Sequence, residues 1–202
     1  MDVKQEIKEL LSNVDRIKDT NLLDDLDELG YYNCPASTNK HLAIKGGLAI
    51  HSFNVYLMLK HLNEIINLNL TNDFIVVVGL LHDVCKIGTY EDNVLKNGSI
   101  SESKPYKYND KLPFGHGEKS VYIINKYFQL TDEEAMAIRY HIGPFEFDTT
   151  RAYNFQFDYI KKTEYWVPIM ATYHADSLAS QLLEHNNIYF EAYKSLYTSN
   201  TL

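Results

Sequence analysis

The apolar residues of this chain recur mostly every three or four positions, the spacing of one face of an α-helix. In "DVKQEIKELLSNV", Val3, Ile7, Leu10, Leu11 and Val14 form such a stripe. "NLLDDLDELG" repeats the pattern and stops at Gly30, a residue suited to ending a helix. A loop with Pro35 and the paired glycines Gly46 and Gly47 follows. "LAIHSFNVYLMLKHLNEIINL" predicts a long helix. His51, Val55, Met58 and Leu62 fall on one of its faces, so His51 points inward. In "DFIVVVGLLHD" the β-branched run Ile75 to Val78 also suits a buried strand. No other convincing strand run exists to pair with it, and an isolated strand leaves its backbone groups unsatisfied. A core helix capped near Asn72 or Asp73 is therefore expected.

Residues 89 to 115 read as a long polar segment with Gly98, Pro105 and Pro113. "GHGEKSVYIINKYF" then starts a helix with Val121, Ile124 and Phe128 on one face. "LTDEEAMAIRYH" carries Thr131 and Glu134 at capping-box spacing and closes at His141, before Gly143 and Pro144. "TEYWVPIMATYHADSLASQLLEH" predicts another helix. Trp166, Ile169, Tyr173 and Asp176 share its apolar face, and Pro168 is tolerable there only in the first turn. "NIYFEAYKSLY" has the pattern of a final helix. No internal repeat, low-complexity tract or clear linker interrupts the series, so a single all-α domain over residues 1–202 is the expectation.

Composition narrows the function classes. Hydrophobic residues make up 45% of the 202 and charged residues 23%, an ordinary globular balance. The net charge of −8 opposes broad nucleic-acid binding, which needs a cationic footprint. Cys34 and Cys85 provide no disulfide framework. The N-terminal stretch is charged and amphipathic without a signal-peptide core, and no apolar run approaches membrane-spanning length. A cytoplasmic protein with no membrane partner is expected, its oligomeric state left open.

Against this background a set of polar residues stands out. His51, His82, Asp83, His141 and Asp176 all lie on, or end, an apolar helical segment, and His116 sits just before such a segment between two glycines. Singly, each has an ordinary explanation as a hydrogen-bonded core residue. Together they would each need a private partner, whereas one or two divalent cations satisfy most of them at once. Mixed imidazole and carboxylate donors suit Mn, Fe, Co, Ni or Zn and poorly suit Ca.

The ordered blocks "GGLAIHSFNVYLML", "GLLHDVCK", "GHGEKS", "RYHIG" and "HADSLA" resemble the HD-domain phosphohydrolase superfamily, whose pattern is H…HD…D, often with two more histidines before the last Asp. The resemblance covers about residues 40 to 185, leaving helical N- and C-terminal extensions, and implies a helical bundle. The blocks are closer to HD domains that include exoribonuclease-type members than to the dGTP-hydrolysing branch. His51, His82, Asp83 and Asp176 match the primary metal ligands. His116 and His141 match the pair that binds a second metal or touches substrate, and Lys86 matches the lysine of the HD-x-x-K variant, used near a substrate phosphate. His174, two residues before Asp176, reads as a surface residue or one behind the site, and Cys85 as core packing.

The implied activity is hydrolysis of a phosphate ester of a nucleotide or related small molecule. A bound divalent ion supplies activated water, Asp83 bridges or orients it, and Lys86 stabilises developing charge. Lys104, Lys107 and Lys119, with Tyr106 interleaved, are candidate contacts to an anionic, base-bearing substrate, as is Arg139. An ordinary solvated loop explains them equally well. A 3′-end RNA exonuclease and a non-catalytic nucleotide-binding regulatory module are the alternatives.

Overall fold

The computed structural model describes residues 2–143 and 158–184. The final helix expected over "NIYFEAYKSLY" lies outside the described residues. Three short helices open the chain: α1 (Val3–Ser12), α2 (Asp15–Lys18) and α3 (Leu22–Glu28). Asp2 caps α1 by accepting from the Lys4 amide. The chain leaves α3 through Gly30 in the left-handed region (φ 89°). The expected apolar stripe is realised, with Ile7 and Leu11 fully buried.

The long helix α4 (Gly47–Ile66) and the core helix α5 (Asn72–Leu81) pack against each other at the centre of the molecule. The helical reading of the β-branched run thus holds. Its cap is Thr71, one residue earlier than expected, whose hydroxyl accepts from the Phe74 amide. The helix is apolar on all sides because it is covered on all sides: Phe74 through Leu81 are buried without exception. Close approach of α4 and α5 depends on Gly79, since a Cβ built there would lie 2.6 Å from the Cα of Tyr56.

Two further helices, α6 (His116–Ile124) and α7 (Asp132–Arg139), pack against each other, and α8 (Trp166–Leu178) packs on both α4 and α7. The capping box of α7 is present in full: Thr131 accepts from the Glu134 amide while the Glu134 side chain accepts from the Thr131 amide. Pro168 falls in the first turn of α8, where its missing N–H costs nothing. The buried Glu134 carboxylate also receives both terminal nitrogens of Arg16, tying α2 to α7. Tyr31, fully buried, donates to the Leu80 carbonyl at 2.7 Å and ties the N-terminal helices to α5.

The polar segment before α6 is not a plain loop. It folds as a hairpin in which β1 (Tyr90–Asp92) pairs antiparallel with β2 (Tyr106–Tyr108), with Tyr90 opposite Tyr108 and Glu91 opposite Lys107. Strands of three residues, polar and far apart in sequence, carry too little alternation to be recognised as strands. A buried ion pair fixes the hairpin to the bundle: the Lys119 ammonium donates to Asp110 at 2.6 Å and to Thr89 at 2.9 Å. No helix among the described residues is long and apolar enough to cross a membrane.

Candidate metal centre

Five helices, α4 to α8, deliver side chains to one region of the core. His51 comes from the second turn of α4, and His82 caps the C-terminus of α5. Asp83 follows and opens a single 3₁₀ turn (Val84–Lys86), which swings its carboxylate to the same side as His82. His116 is the first residue of α6, His141 follows the end of α7, and Asp176 sits in the last turns of α8. His51, His82, Asp83 and His141 are all at most 2% exposed. Asp176 (22%) and His116 (29%) face outward and mark the mouth of the site.

The distances describe two donor sets meeting at Asp83. Its Oδ2 lies 3.3 Å from His51 Nε2, 3.5 Å from His82 Nε2 and 2.6 Å from Lys86 Nζ. Its Oδ1 lies 2.7 Å from His116 Nε2 and 3.5 Å from His141 Nε2. Asp176 Oδ1 lies 3.3 Å from His51 Nε2, and the Nε2 atoms of His51 and His82 are 3.4 Å apart. Donor atoms on a tetrahedral ion with bond lengths near 2.1 Å are separated by about 3.4 Å. The spacing of these atoms therefore suits a shared cation.

Hydrogen bonding on the far side of each ring makes the same point. His82 Nδ1 donates to the Gly79 carbonyl (3.1 Å) and His141 Nδ1 to the Ile138 carbonyl (2.7 Å). A proton held on Nδ1 leaves the Nε2 lone pair aimed at the centre, which is what a metal ligand needs. His116 differs. Its Nδ1 faces the Cys85 thiol at 3.3 Å and its Nε2 faces the Asp83 carboxylate, an arrangement in which Nε2 donates. Burial pushes the Cys85 thiol up to about 12, so it stays a neutral S–H beside that ring.

The electrostatics are tightly balanced. For Asp83, burial favours the neutral acid, but Lys86, His82 and His116 outweigh it and hold the carboxyl well below the usual range. For His51, burial opposes the charged ring, but Glu184, Asp176 and Asp83 outweigh it and hold the imidazole well above its ordinary value. Burial dominates at His82 and pulls its pKa down. At Asp176, burial is again overcome, here by the hydrogen bond and charge of His51, and the carboxyl is held low. An imidazole-rich centre with two ionised carboxylates is suited to a divalent transition metal.

The expected site residues divide sharply in position. His51, His82, Asp83, Lys86, His116, His141 and Asp176 converge. Lys107 instead pairs with Glu91 across the hairpin at 2.9 Å, and Lys119 is buried against Asp110. Arg139 pairs with Glu118 and lies over the Tyr140 ring. Lys104 is exposed and lends its carbonyl to Asn93, while Tyr106 is half-buried in β2. His174 is exposed, as expected. Two participants escaped the sequence reading. Glu184 sits 3.0 Å from His51 Nδ1, and Cys85 touches His116 as well as packing in the core. Glu184 left no spacing signal, because a π turn (Ala179–Leu183) between α8 and Glu184 resets the face on which it emerges.

Neither the curated proteins nor the solved structures provide a significant match to the chain. A family model does: the HD domain matches residues 48–181, a span that begins at the start of α4, ends just beyond α8 and contains every converging residue. With His82 shared between one donor group with His51 and Asp176 and another with Asp83 and His141, the chain belongs to the HD domain family.

Proposed function

We propose that this protein is a metal-dependent phosphohydrolase that cleaves a phosphate ester of a nucleotide or related small molecule. The observation that carries the reading is that His51 Nε2 stands 3.3 Å from both Asp83 Oδ2 and Asp176 Oδ1 and 3.4 Å from His82 Nε2, whose Nδ1 proton is held by the Gly79 carbonyl. His51, His82, Asp83 and Asp176 would hold the primary ion, and His141 with Asp83 Oδ1 offers further donors beside it. A divalent ion supplies a lowered pKa for bound water and neutralisation of phosphoryl oxygens.

The chain's own groups do the rest. Asp83 accepts hydrogen bonds at both oxygens and so fixes the direction of an attacking water. Lys86, whose ammonium is held by Asp83 and kept protonated against its burial, faces the charge that develops on the phosphoryl group. His116, at the mouth, donates from Nε2 to Asp83 Oδ1 and so steadies that carboxylate. The net charge of −8 favours a small phosphorylated substrate over a polynucleotide.

The test is direct. The purified protein is analysed for Mn, Fe, Co, Ni and Zn, then assayed with each on nucleotides, cyclic nucleotides, model phosphodiesters and labelled RNA. Metal-dependent release of phosphate or nucleoside from the small substrates is expected. A metal-loaded protein inactive on all of them defeats the catalytic reading, and digestion of RNA alone replaces it with the exonuclease.

A further inference from the structure

The chain adds to its metal centre a carboxylate that lies outside the matched span. Immediately after α8 the helix widens into a π turn (Ala179–Leu183), closed by the Glu184 amide donating to the Ala179 carbonyl at 3.1 Å. The extra residue in that turn changes the face on which the next side chain emerges. That side chain is Glu184, and it is 1% exposed. An unpaired carboxylate in such a place would cost several kcal/mol. Its partners are therefore informative, and all of them are polar. Oε1 lies 3.0 Å from His51 Nδ1 and receives Asn54 Nδ2 at 3.2 Å, while Oε2 lies 3.3 Å from His51 Nδ1. His41 Nε2 approaches Oε2 only to 3.8 Å, too far for a hydrogen bond.

His51 and Asn54 are three residues apart on α4, so one helical face presents both the ring and the amide that steadies the carboxylate. His51 differs in this from His82 and His141, whose Nδ1 protons go to carbonyls of their own helices at i−3. No such carbonyl receives His51 Nδ1. The only acceptor that the described residues give it comes from the far end of α8. The imidazole of His51 is thereby gripped between Glu184 on one edge and Asp83 and Asp176 on the other.

We propose that Glu184 is a positioning residue for the metal centre: by accepting the Nδ1 proton of His51 it fixes that ring's tautomer and aims Nε2 at the cation. The proposal rests on the reading of His51 as a metal ligand. Carboxylates placed behind ligating histidines typically contribute about 10–100-fold to metal affinity. Glu184 also couples the C-terminal end of α8 to α4, so the same helix supplies one donor directly, Asp176, and steadies a second.

The experiment compares wild type with Glu184→Gln and Glu184→Ala. Affinity for Mn and Zn is measured by competition with a chromophoric chelator. The ring nitrogens of His51 are followed in the metal-free proteins by long-range ¹H–¹⁵N spectra. Glu184→Ala is expected to lose about 10–100-fold in affinity and to shift the His51 Nδ1 resonance. Glu184→Gln, which keeps an acceptor of the same reach, is expected to retain the hydrogen bond from His51 Nδ1–H and lose less. Variants that stay folded and keep both wild-type affinity and wild-type His51 resonances overturn the proposal. So does a Glu184→Ala protein that melts earlier but binds unchanged at temperatures where it is folded. Wild type that binds no ion defeats the metal reading itself, and the metal-free spectra still report whether Glu184 holds His51.

Discussion

Asp83 is the residue on which the centre turns, because each of its oxygens serves a different set of donors. Removing it takes away the carboxylate that His51, His82, Lys86, His116 and His141 share, leaving Lys86 and His116 without their acidic partner. Asp83→Ala is therefore expected to purify without stoichiometric metal, as read by elemental analysis, and full metal content with full turnover would refute the role given to it. Lys86 is separable from this. Its Nζ touches Asp83 but contributes no donor lone pair, so Lys86→Met is expected to keep the ion while kcat falls about 10²-fold, the loss typical for one charge-stabilising donor. Equal loss of metal and rate in that variant would make Lys86 a structural counter-ion instead. The same comparison shows why residue types were readable and partners were not. An imidazole on an apolar stripe is visible in a string of letters. That the His116 ring meets a thiol, or that His51 meets a carboxylate 133 positions later, depends on where helices cross.

Among the elements, α4 and α5 matter most, since they bring His51 against His82. Gly79 is what lets them touch, and its carbonyl also holds the His82 ring. Gly79→Ala would push a methyl group into the backbone of Tyr56. It is expected to cost about 1–3 kcal/mol in urea denaturation and to weaken metal binding together with stability. A variant as stable as wild type would show that the helices have room to part. The hairpin is the element the letters concealed, and its attachment gives a separate prediction. The side chain of Asp110 is buried, which favours its neutral form, but hydrogen bonds from Lys119, the Leu112 amide and Tyr108 together outweigh burial and lower its pKa below the ordinary 3.8. A carboxylate depressed by folding stabilises the native state fully above its unfolded value and ceases to do so as pH falls through the folded value. Acid titration followed by NMR is thus expected to move the amides around Asp110 and Thr89 only below about pH 4. Lys119→Met, which strands a buried carboxylate, is expected to loosen the hairpin at neutral pH. Motion of those amides well above that pH in wild type would contradict the anchor.

At the scale of the whole molecule, a cation bound by helices distant in sequence is a cross-link that exists only in the folded state. At a metal concentration a hundredfold above Kd the native state gains about 2.7 kcal/mol, and for a chain of this size Tm is expected to rise by roughly 5–10 °C. A chelator should reverse the rise. Because imidazoles must give up protons to bind, the gain is expected to be larger near pH 8 than near pH 6. Calorimetry with Mn, Co, Ni or Zn that leaves Tm unmoved at saturating concentrations would remove the ion from the account.

The sequence by itself determined the helical class, most helix positions and the identities of the converging donors, because helical period and buried polar side chains are local properties of a few neighbouring letters. It also determined that the β-branched run of α5 is helical, since nothing was present for a strand to pair with. The tertiary structure decided which cationic residues belong to the centre and which form ion pairs of their own: Lys86 joins it, whereas Lys107, Lys119 and Arg139 do not. It decided the hairpin, whose two strands become strands only by meeting. It decided the place of Glu184, which reaches His51 through a π turn that no spacing rule anticipates. In each case the physical reason is one: a partner's distance through space is set by how helices pack and end, and that is not written in any single segment.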